Sequence, residues 1–286
     1  MSNLYPNGMS AHRFASTDFA AKQPVIGVDI GGTGIKAAAV RMTTGELVTK
    51  RHKLNTPEGG YPHDIAEAAA QLVNAIQREL SAAGEHPLSH VGVCVPAVVQ
   101  NGITLSAANI AQEWIGLPAE RMFFEAIGKP IALLNDADAA GEAELDFGAA
   151  ANTSGLTMVL TLGTGIGSAL LYEGTLVPGT ELGHLNVDGV ADYERFASPK
   201  RIHSEGISIR EWANRLASYL RHLERLFSPN LFVLGGSISK SIEDFAPLPG
   251  VTTPTVAAHF LNNSGIVGAA GFALQQIQNK KQPERS

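Results

Sequence analysis

The chain has 286 residues, 44% hydrophobic and 17% charged, with 30 glycines and a formal net charge of −6. That length holds one large domain or two ordinary ones, and the acidic balance excludes a nucleic-acid binder that works by bulk electrostatics. The lone cysteine, Cys94, excludes an intrachain disulfide and a multi-cysteine zinc site. No apolar run is long enough for a membrane span, and no apolar signal core opens the chain, so a cytoplasmic protein is expected.

Residues 1–23 are polar and aperiodic, with Pro6 and Gly8, which predicts a flexible tail too short for a helix-turn-helix domain. The stretch Val25-Ile-Gly-Val-Asp-Ile-Gly-Gly-Thr-Gly-Ile-Lys36-Ala-Ala-Ala-Val40 then predicts a β-hairpin. Its glycines Gly31, Gly32 and Gly34 allow positive φ and close backbone approach, so its N–H groups can meet phosphate oxygens. Asp29 at the strand end can hold Mg²⁺ through water. Taken alone, an ordinary glycine hairpin fits equally well.

Gly45–Leu54 predicts a third strand, and Pro57-Glu-Gly-Gly60 a break. Ile65, Ala69, Leu72, Ile76 and Leu80 step by three or four, which predicts an amphipathic helix over 63–83. His90–Val95 is the next strand, with Cys94 as a small buried hydrophobe. This order suggests an α/β domain with a mixed sheet. Asn101-Gly102 reads as a turn, Ser106–Trp114 as a polar loop, Arg121–Ile127 as a short helix and Pro130–Leu134 as a buried strand. That strand runs into Asn135-Asp136-Ala-Asp138, where an acid at a strand mouth precedes an alanine-rich helix. Helix capping needs one acid; we assign it to Asp138, leaving Asp136 free.

Leu156–Leu162, the turn Gly163-Thr164-Gly165-Ile-Gly167 and the strand Ser168–Tyr172 repeat the opening unit in outline. Two such units can face each other across a cleft. Leu176–Gly179 reads as a turn, followed by Glu181-Leu-Gly-His184. Ile209, Ala213, Leu216, Leu220, Leu223 and Phe227 mark a helix whose other side carries Arg210, Asn214, Ser218, Arg221 and Arg225. Asn230–Leu234 is a strand that Gly235-Gly236-Ser237 turns into a helix, and Ser264–Ile277 a closing helix before a polar end.

Together, Asp29-Ile-Gly-Gly-Thr33, Asn135-Asp136, Leu162-Gly-Thr-Gly-Ile-Gly167, Glu181-Leu-Gly-His184 and Leu234-Gly-Gly-Ser237 resemble, in order, the motifs of ROK sugar kinases. Thr161–Leu170, Tyr219–Arg225, Ser228-Pro229 and Asn262–Gly268 are similar to the branch of bacterial polyphosphate glucokinases and polyphosphate/ATP glucomannokinases. The resemblance covers roughly residues 24 to 272. It implies a two-domain actin/hexokinase-like (ribonuclease H-like) α/β fold with the site in the cleft: a smaller domain over 24–135, joined by the closing helix at 264–278, and a larger one over 136–263. It implies phosphoryl transfer from polyphosphate or ATP to the 6-hydroxyl of glucose, with mannose as an alternative sugar. Asp136 is then the base, and Asn109, Asn135, Glu181, His184 and Glu194 hold the sugar. Gly31, Gly32, Thr33, Lys36, Gly163, Thr164 and Gly165 cradle phosphate, Gly235 and Gly236 seat a nucleotide, and Asp29 lies near Mg²⁺. Glu194 also fits a solvated acid at a helix start, and Lys36 a solvated hairpin lysine. Lys200, Arg201, Arg210, Arg221 and Arg225 are candidates for a polyphosphate track, each equally explained by a salt-bridged surface. A homodimer is implied, and no nucleic-acid or membrane partner.

Two positions depart from the family's pattern. ROK kinases usually follow the Glu-x-Gly-His motif with a cysteine-rich loop that holds zinc. Leu185–Ala197 contains no cysteine, so we expect no zinc and no zinc-ligand role for His184. Ala97 stands where many members have glycine after the proline. A ROK-type sugar sensor without catalysis would need a DNA-binding domain that residues 1–23 cannot supply, and the Glu181 and His184 motif disfavours an acetate-kinase-like reaction.

Overall fold

A helical turn, α1 (Phe19–Lys22), leads into β1 (Pro24–Ile30), which turns back into antiparallel β2 (Gly34–Arg41) with Asp29 opposite Lys36. The computed structural model describes residues 19–108 and 110–281. Residues 1–18 of the segment read as a tail, and the polar end from 282, lie outside these residues. The single strand expected over Gly45–Leu54 is two short ones, β3 (Glu46–Leu47) and β4 (His52–Asn55), both paired with β2. The break has a local cause: the buried Thr49 hydroxyl accepts the Ala39 N–H at 3.1 Å, taking the place of a ladder bond.

Helix α2 (Pro62–Ala82) buries Ile65, Ala69, Leu72, Ile76 and Leu80. Strand β5 (Val91–Val95) follows, then a small hairpin of β6 (Val99–Gln100) and β7 (Ile103–Thr104). Its turn takes positive φ at Asn101 (52°) and Gly102 (74°), the geometry that favours Asn-Gly between paired strands. Helix α3 (Ala119–Ile127) and strand β8 (Ile131–Asn135) complete a six-stranded sheet ordered β3-β2-β1-β5-β8, with β4 on β2. Strands β1, β5 and β8 run parallel.

Helix α4 (Asp136–Phe147) leaves β8 with no intervening residue. A second hairpin follows, β9 (Leu156–Leu162) and β10 (Ile166–Tyr172). Leu176–Gly179, expected as a turn, is partly strand: β11 (Thr175–Val177) pairs with β10, and the reversal sits earlier, at Glu173 and Gly174, both with positive φ. Short helices α5 (Glu194–Ala197) and α6 (Lys200–Glu205) precede the long α7 (Ile209–Phe227), in which Ala213, Leu216, Leu220 and Leu223 are buried. Strand β12 (Leu231–Gly235), helix α8 (Ile242–Phe245) and strand β13 (Thr255–Ala257) follow, and α9 (Ser264–Lys281) ends the described chain. The second sheet, β11-β10-β9-β12-β13, repeats the first: an antiparallel hairpin with a third strand on one side and two parallel strands on the other.

The elements stack in layers. Helices α2 and α3 cover one face of the first sheet with Ile65, Leu72, Ile76 and Phe123, while α9 covers the other with Ile266, Ala270 and Leu274. Helix α4 packs on α9 and on β9 and β10, and α7 closes the far face of the second sheet with Trp212, Leu216 and Leu220. Small residues make the middle layer possible. A Cβ at Gly27 or Gly92 would be driven into the Ile266 or Ala269 carbonyl of α9, and one at Gly268 into the Ala139 carbonyl of α4. Among the described residues, no helix is long and apolar enough to cross a membrane.

Candidate active site in the cleft between the sheets

Parallel pairing brings the carboxyl ends of β1, β5 and β8 to one edge: Asp29 lies opposite Cys94, and Val95 opposite Asn135. This edge of an open α/β sheet is where ligands bind. Asp29 pairs with Lys36 at 3.0 Å, and the turn between them is closed by a Gly31 N–H to Gly34 carbonyl bond of 3.0 Å. The Thr56 hydroxyl donates to the Gly31 carbonyl at 2.5 Å, while Gly32 and Thr33 are exposed at the tip. Cys94 is fully buried, and burial, with the charges of Asp29 and Asp136, pushes its thiol well up, so it is an inert packing group.

The helix cap differs from expectation. Asn135, not Asp138, caps α4: its Oδ1 accepts the N–H groups of Ala137 (2.7 Å) and Asp138 (3.1 Å). The reason is where β8 ends; Asn135 keeps extended backbone angles, which puts its side chain ahead of the first turn. Its Nδ2 donates to the Ala97 carbonyl at 3.1 Å, leaving one amide hydrogen for another partner. Asp138 is buried, and its Oδ2 accepts the Gly179 N–H at 2.9 Å. That bond ties the segment before Glu181 to α4. Ser168 and Thr180 add to it, the Ser168 hydroxyl donating to the Thr180 carbonyl and the Thr180 hydroxyl to the Ser168 carbonyl, each at 2.9 Å.

Asp136 is not the cap, although its Oδ1 accepts the Ala137 N–H at 2.8 Å alongside Asn135, and among the described residues no other residue hydrogen-bonds its second oxygen. It is solvent-exposed, yet protein surrounds it closely enough for desolvation to be the main influence on its carboxyl. Desolvation, then the charge of Asp29 and more weakly that of Glu181, pushes the Asp136 carboxyl up to about 7. Burial, with the charges of Glu142 and Glu181, raises Asp138 to about 7 as well, against the Gly179 N–H. Glu181 is raised by burial and by Glu194, with His184 opposing.

His184 ends the turn Leu182–His184. Its Nδ1 hydrogen-bonds the Asp192 carboxylate at 2.5 Å, and its Nε2 lies 3.8 Å from Glu181 Oε2. Glu194 accepts the Ile166 N–H at 3.0 Å, fixing it beside the second glycine turn. A Cβ at Gly165 would collide with this carboxylate. Gly163 donates to the Gly165 carbonyl at 3.0 Å, with Gly163 and Thr164 exposed. Gly235 lies opposite Thr161 in the parallel register, and Gly236, at φ 88°, packs on the Leu162 carbonyl where no Cβ fits. The structure thus sets Gly235 and Gly236 beside the second turn, and Asp29, Asp136, Glu181, His184 and Glu194 in one electrostatic group. Asn109 lies outside the described residues. Of the basic candidates, Arg201 donates to the Arg195 carbonyl and approaches Glu205 at 3.6 Å, while Arg221 and Arg225 line a cavity of about 460 Å³ with Asp188, Ser218 and Glu224.

Sequence reasoning missed Asp192. It sits at φ 53°, tolerated by aspartate, with its second oxygen on the Arg195 guanidinium. It is the largest of the influences that raise His184, ahead of the Glu194 charge. The pair steadies the loop below the ordinary histidine pKa and is lost as pH rises through the raised one. In Asp192→Asn, His184 should titrate at lower pH than in the wild type, read by NMR; an unmoved titration would refute the pairing.

The profile of the ROK family matches residues 25–204. The chain is 41% identical over 245 residues to a polyphosphate glucokinase of Mycobacterium tuberculosis, covering 85% of this chain and 89% of that relative. Among solved structures, the inorganic polyphosphate/ATP-glucomannokinase of Arthrobacter sp. strain KM is 44% identical with a TM-score of 0.81, over 88% of this chain and 99% of that one. A ROK family glucokinase of Streptomyces griseus in complex with glucose and AMPPNP is 25% identical with a TM-score of 0.71, over 88% and 99%. With its actin/hexokinase-like fold and a family match across most of its length, this chain belongs to the ROK family.

Proposed function

We propose that the chain is a cytoplasmic sugar kinase that transfers a phosphoryl group from inorganic polyphosphate to the 6-hydroxyl of glucose. The observation that carries this is Asp136: a carboxylate at the mouth of β8 that is not the helix cap, raised to about 7 and within reach of the charges of Asp29 and Glu181. Likeness to a named polyphosphate glucokinase supports polyphosphate as donor.

Phosphoryl transfer needs in-line positioning, charge neutralisation and a base on the attacking hydroxyl. Asp136 accepts the proton of the 6-hydroxyl. Glu181, His184, Glu194 and Asn109 hold the remaining hydroxyls, and Asn135 contributes at most its one free amide hydrogen. The turns at Gly31–Thr33 and Gly163–Gly165 offer N–H groups and the Thr33 and Thr164 hydroxyls to phosphate. In a loaded cleft the Lys36 ammonium turns from Asp29 to a phosphate oxygen. The hard carboxylate oxygens of Asp29 suit Mg²⁺, held through water, which supplies charge neutralisation when bound. Residues 24–135 with 264–278, and residues 136–263, act as the two lobes that close on the substrates, in a homodimer.

His184, Asp192 and Glu194 place ligand atoms within 4.8 Å of one another. Their existing partners, Arg195 on Asp192 and the Ile166 N–H on Glu194, favour an ion-pair cluster in the place of zinc. Stoichiometric zinc by elemental analysis would overturn this.

The deciding assay supplies glucose, Mg²⁺ and either nucleotide-free polyphosphate or ATP as the only donor. Glucose 6-phosphate from polyphosphate is the expected result. The position of Gly235 and Gly236 beside the second turn favours ATP as a second donor, and product from ATP alone would refute the polyphosphate reading. Mannose in place of glucose tests the sugar range.

A further inference from the structure

The chain is acidic overall, yet Lys50-Arg51-His52-Lys53 is a dense basic run, and it leads directly into the strand that pairs with the phosphate turn. Pairing sorts its members by face. His52 points to α2 and bonds Glu79 at 2.7 Å. Lys53 lies directly opposite Lys36, which lies opposite Asp29, so one row crosses β1, β2 and β4 at the mouth of the cleft. Asp29 neutralises Lys36. Like charges directly opposite each other repel, and no acid among the described residues forms an ion pair with Lys53 or Arg51.

Two further contacts orient these cations. The stem of Lys53 folds over Gly34, at the close of the turn: a Cβ there would lie 3.0 Å from Lys53 Cε and 3.8 Å from its Nζ. Arg51 Nη1 donates to Asn263 Oδ1 at 2.9 Å, immediately before α9. The result is a pair of cations without an ion-pair partner among the described residues, running outward from the turn, Lys53 on β4 and Arg51 just before it.

We propose that Arg51 and Lys53 bind the part of an inorganic polyphosphate chain that extends beyond the phosphates cradled by the Gly31–Gly34 turn. This rests on the polyphosphate reading above. A linear polyanion suits the pair because successive phosphate charges can meet both cations with little demand on side-chain geometry. The phosphate chain of ATP ends at a nucleoside and has no such extension. Lysine on an edge strand also guards against strand pairing, which does not require Lys53 to lie over the turn.

The test is steady-state kinetics of the wild type and of the double variant Arg51→Ala/Lys53→Ala with long-chain polyphosphate, short-chain polyphosphate and ATP. The expected result is a rise of about tenfold in KM for the long chain, from the loss of two exposed charge contacts. The KM values for short chains and ATP should stay within about twofold, and the salt dependence of the long-chain KM should flatten. An unchanged long-chain KM would reduce the two residues to guards of the edge strand, and an equal rise for all donors would place them at the reacting phosphates; either overturns the proposal. A wild type that uses only ATP refutes the polyphosphate reading itself, a result separable from these because it needs no variant.

Discussion

Replacing Asp136 by Asn should lower kcat for glucose phosphorylation by about 10²–10⁴-fold, the usual range for loss of a positioned base, while glucose binding by calorimetry persists. The substitution keeps shape and removes the proton acceptor, and Asn135 still caps α4, so the backbone has no reason to move. The wild-type rate should rise with pH as this carboxyl, raised chiefly by desolvation, gives up its proton, and Mg²⁺ at Asp29 should bring that rise below about 7 by offsetting the Asp29 charge. Stability should run the other way. A carboxyl raised in the folded state favours folding below its ordinary range, and that contribution is lost as pH rises through about 7. The Asn variant should therefore melt above the wild type at pH 8, with the gap closing in acid. A variant retaining near wild-type turnover would remove Asp136 from the chemistry, and a wild-type profile flat from the ordinary carboxylate range up to pH 7 would remove the perturbed carboxyl.

Gly268→Ala should be among the most damaging added methyls at the described glycines. A Cβ at 268 meets the carbonyl, carbonyl carbon and Cα of Ala139, all backbone, so no side chain can turn aside to admit it. Overpacking of a filled core costs typically 1–3 kcal/mol and more where backbone must shift. Here α9 cannot retreat, because Gly27 and Gly92 already hold it against β1 and β5. We expect a loss of about 3 kcal/mol or more, seen as a melting temperature lower by on the order of 10 °C, or as failure to fold. Gly84→Ala, where nothing lies within 4 Å of the added carbon although φ is 73°, gives the comparison: strain without a clash. Equal losses in the two variants would mean that α4 and α9 are not packed so closely.

The long periodic elements were legible because their signal lies within one segment. The stripe from Ile65 to Leu80 needs no partner to be recognised, nor does the glycine turn after Asp29. The short strands β3, β11 and β13 were not, since two or three residues become a strand only when a neighbour offers a ladder, and Thr49 decides locally where the third strand breaks. The site divides in the same way. Asp136 stands out in the sequence as an acid at the end of a buried strand, but the cap could not be assigned among Asn135, Asp136 and Asp138 without knowing that extended backbone continues to Asn135. Asp192 was illegible for a different reason. Its contact with His184 spans eight residues of loop, held by mutual Val187 and Val190 backbone bonds of 3.0 Å, and no periodicity encodes that closure.

Helix α4 leaves β8 without a loop and touches both α9 and β10. Its first residue is the proposed base. In the lobe closure proposed above, rocking about this helix leaves Asp136 close to the axle, whereas the tips at Gly32 and Thr164 ride on the rims and travel farthest. Such a machine keeps its proton acceptor nearly still against the sugar and carries the donor to it, so the accuracy of the reaction would be set by how far the rims swing, not by any movement of the base.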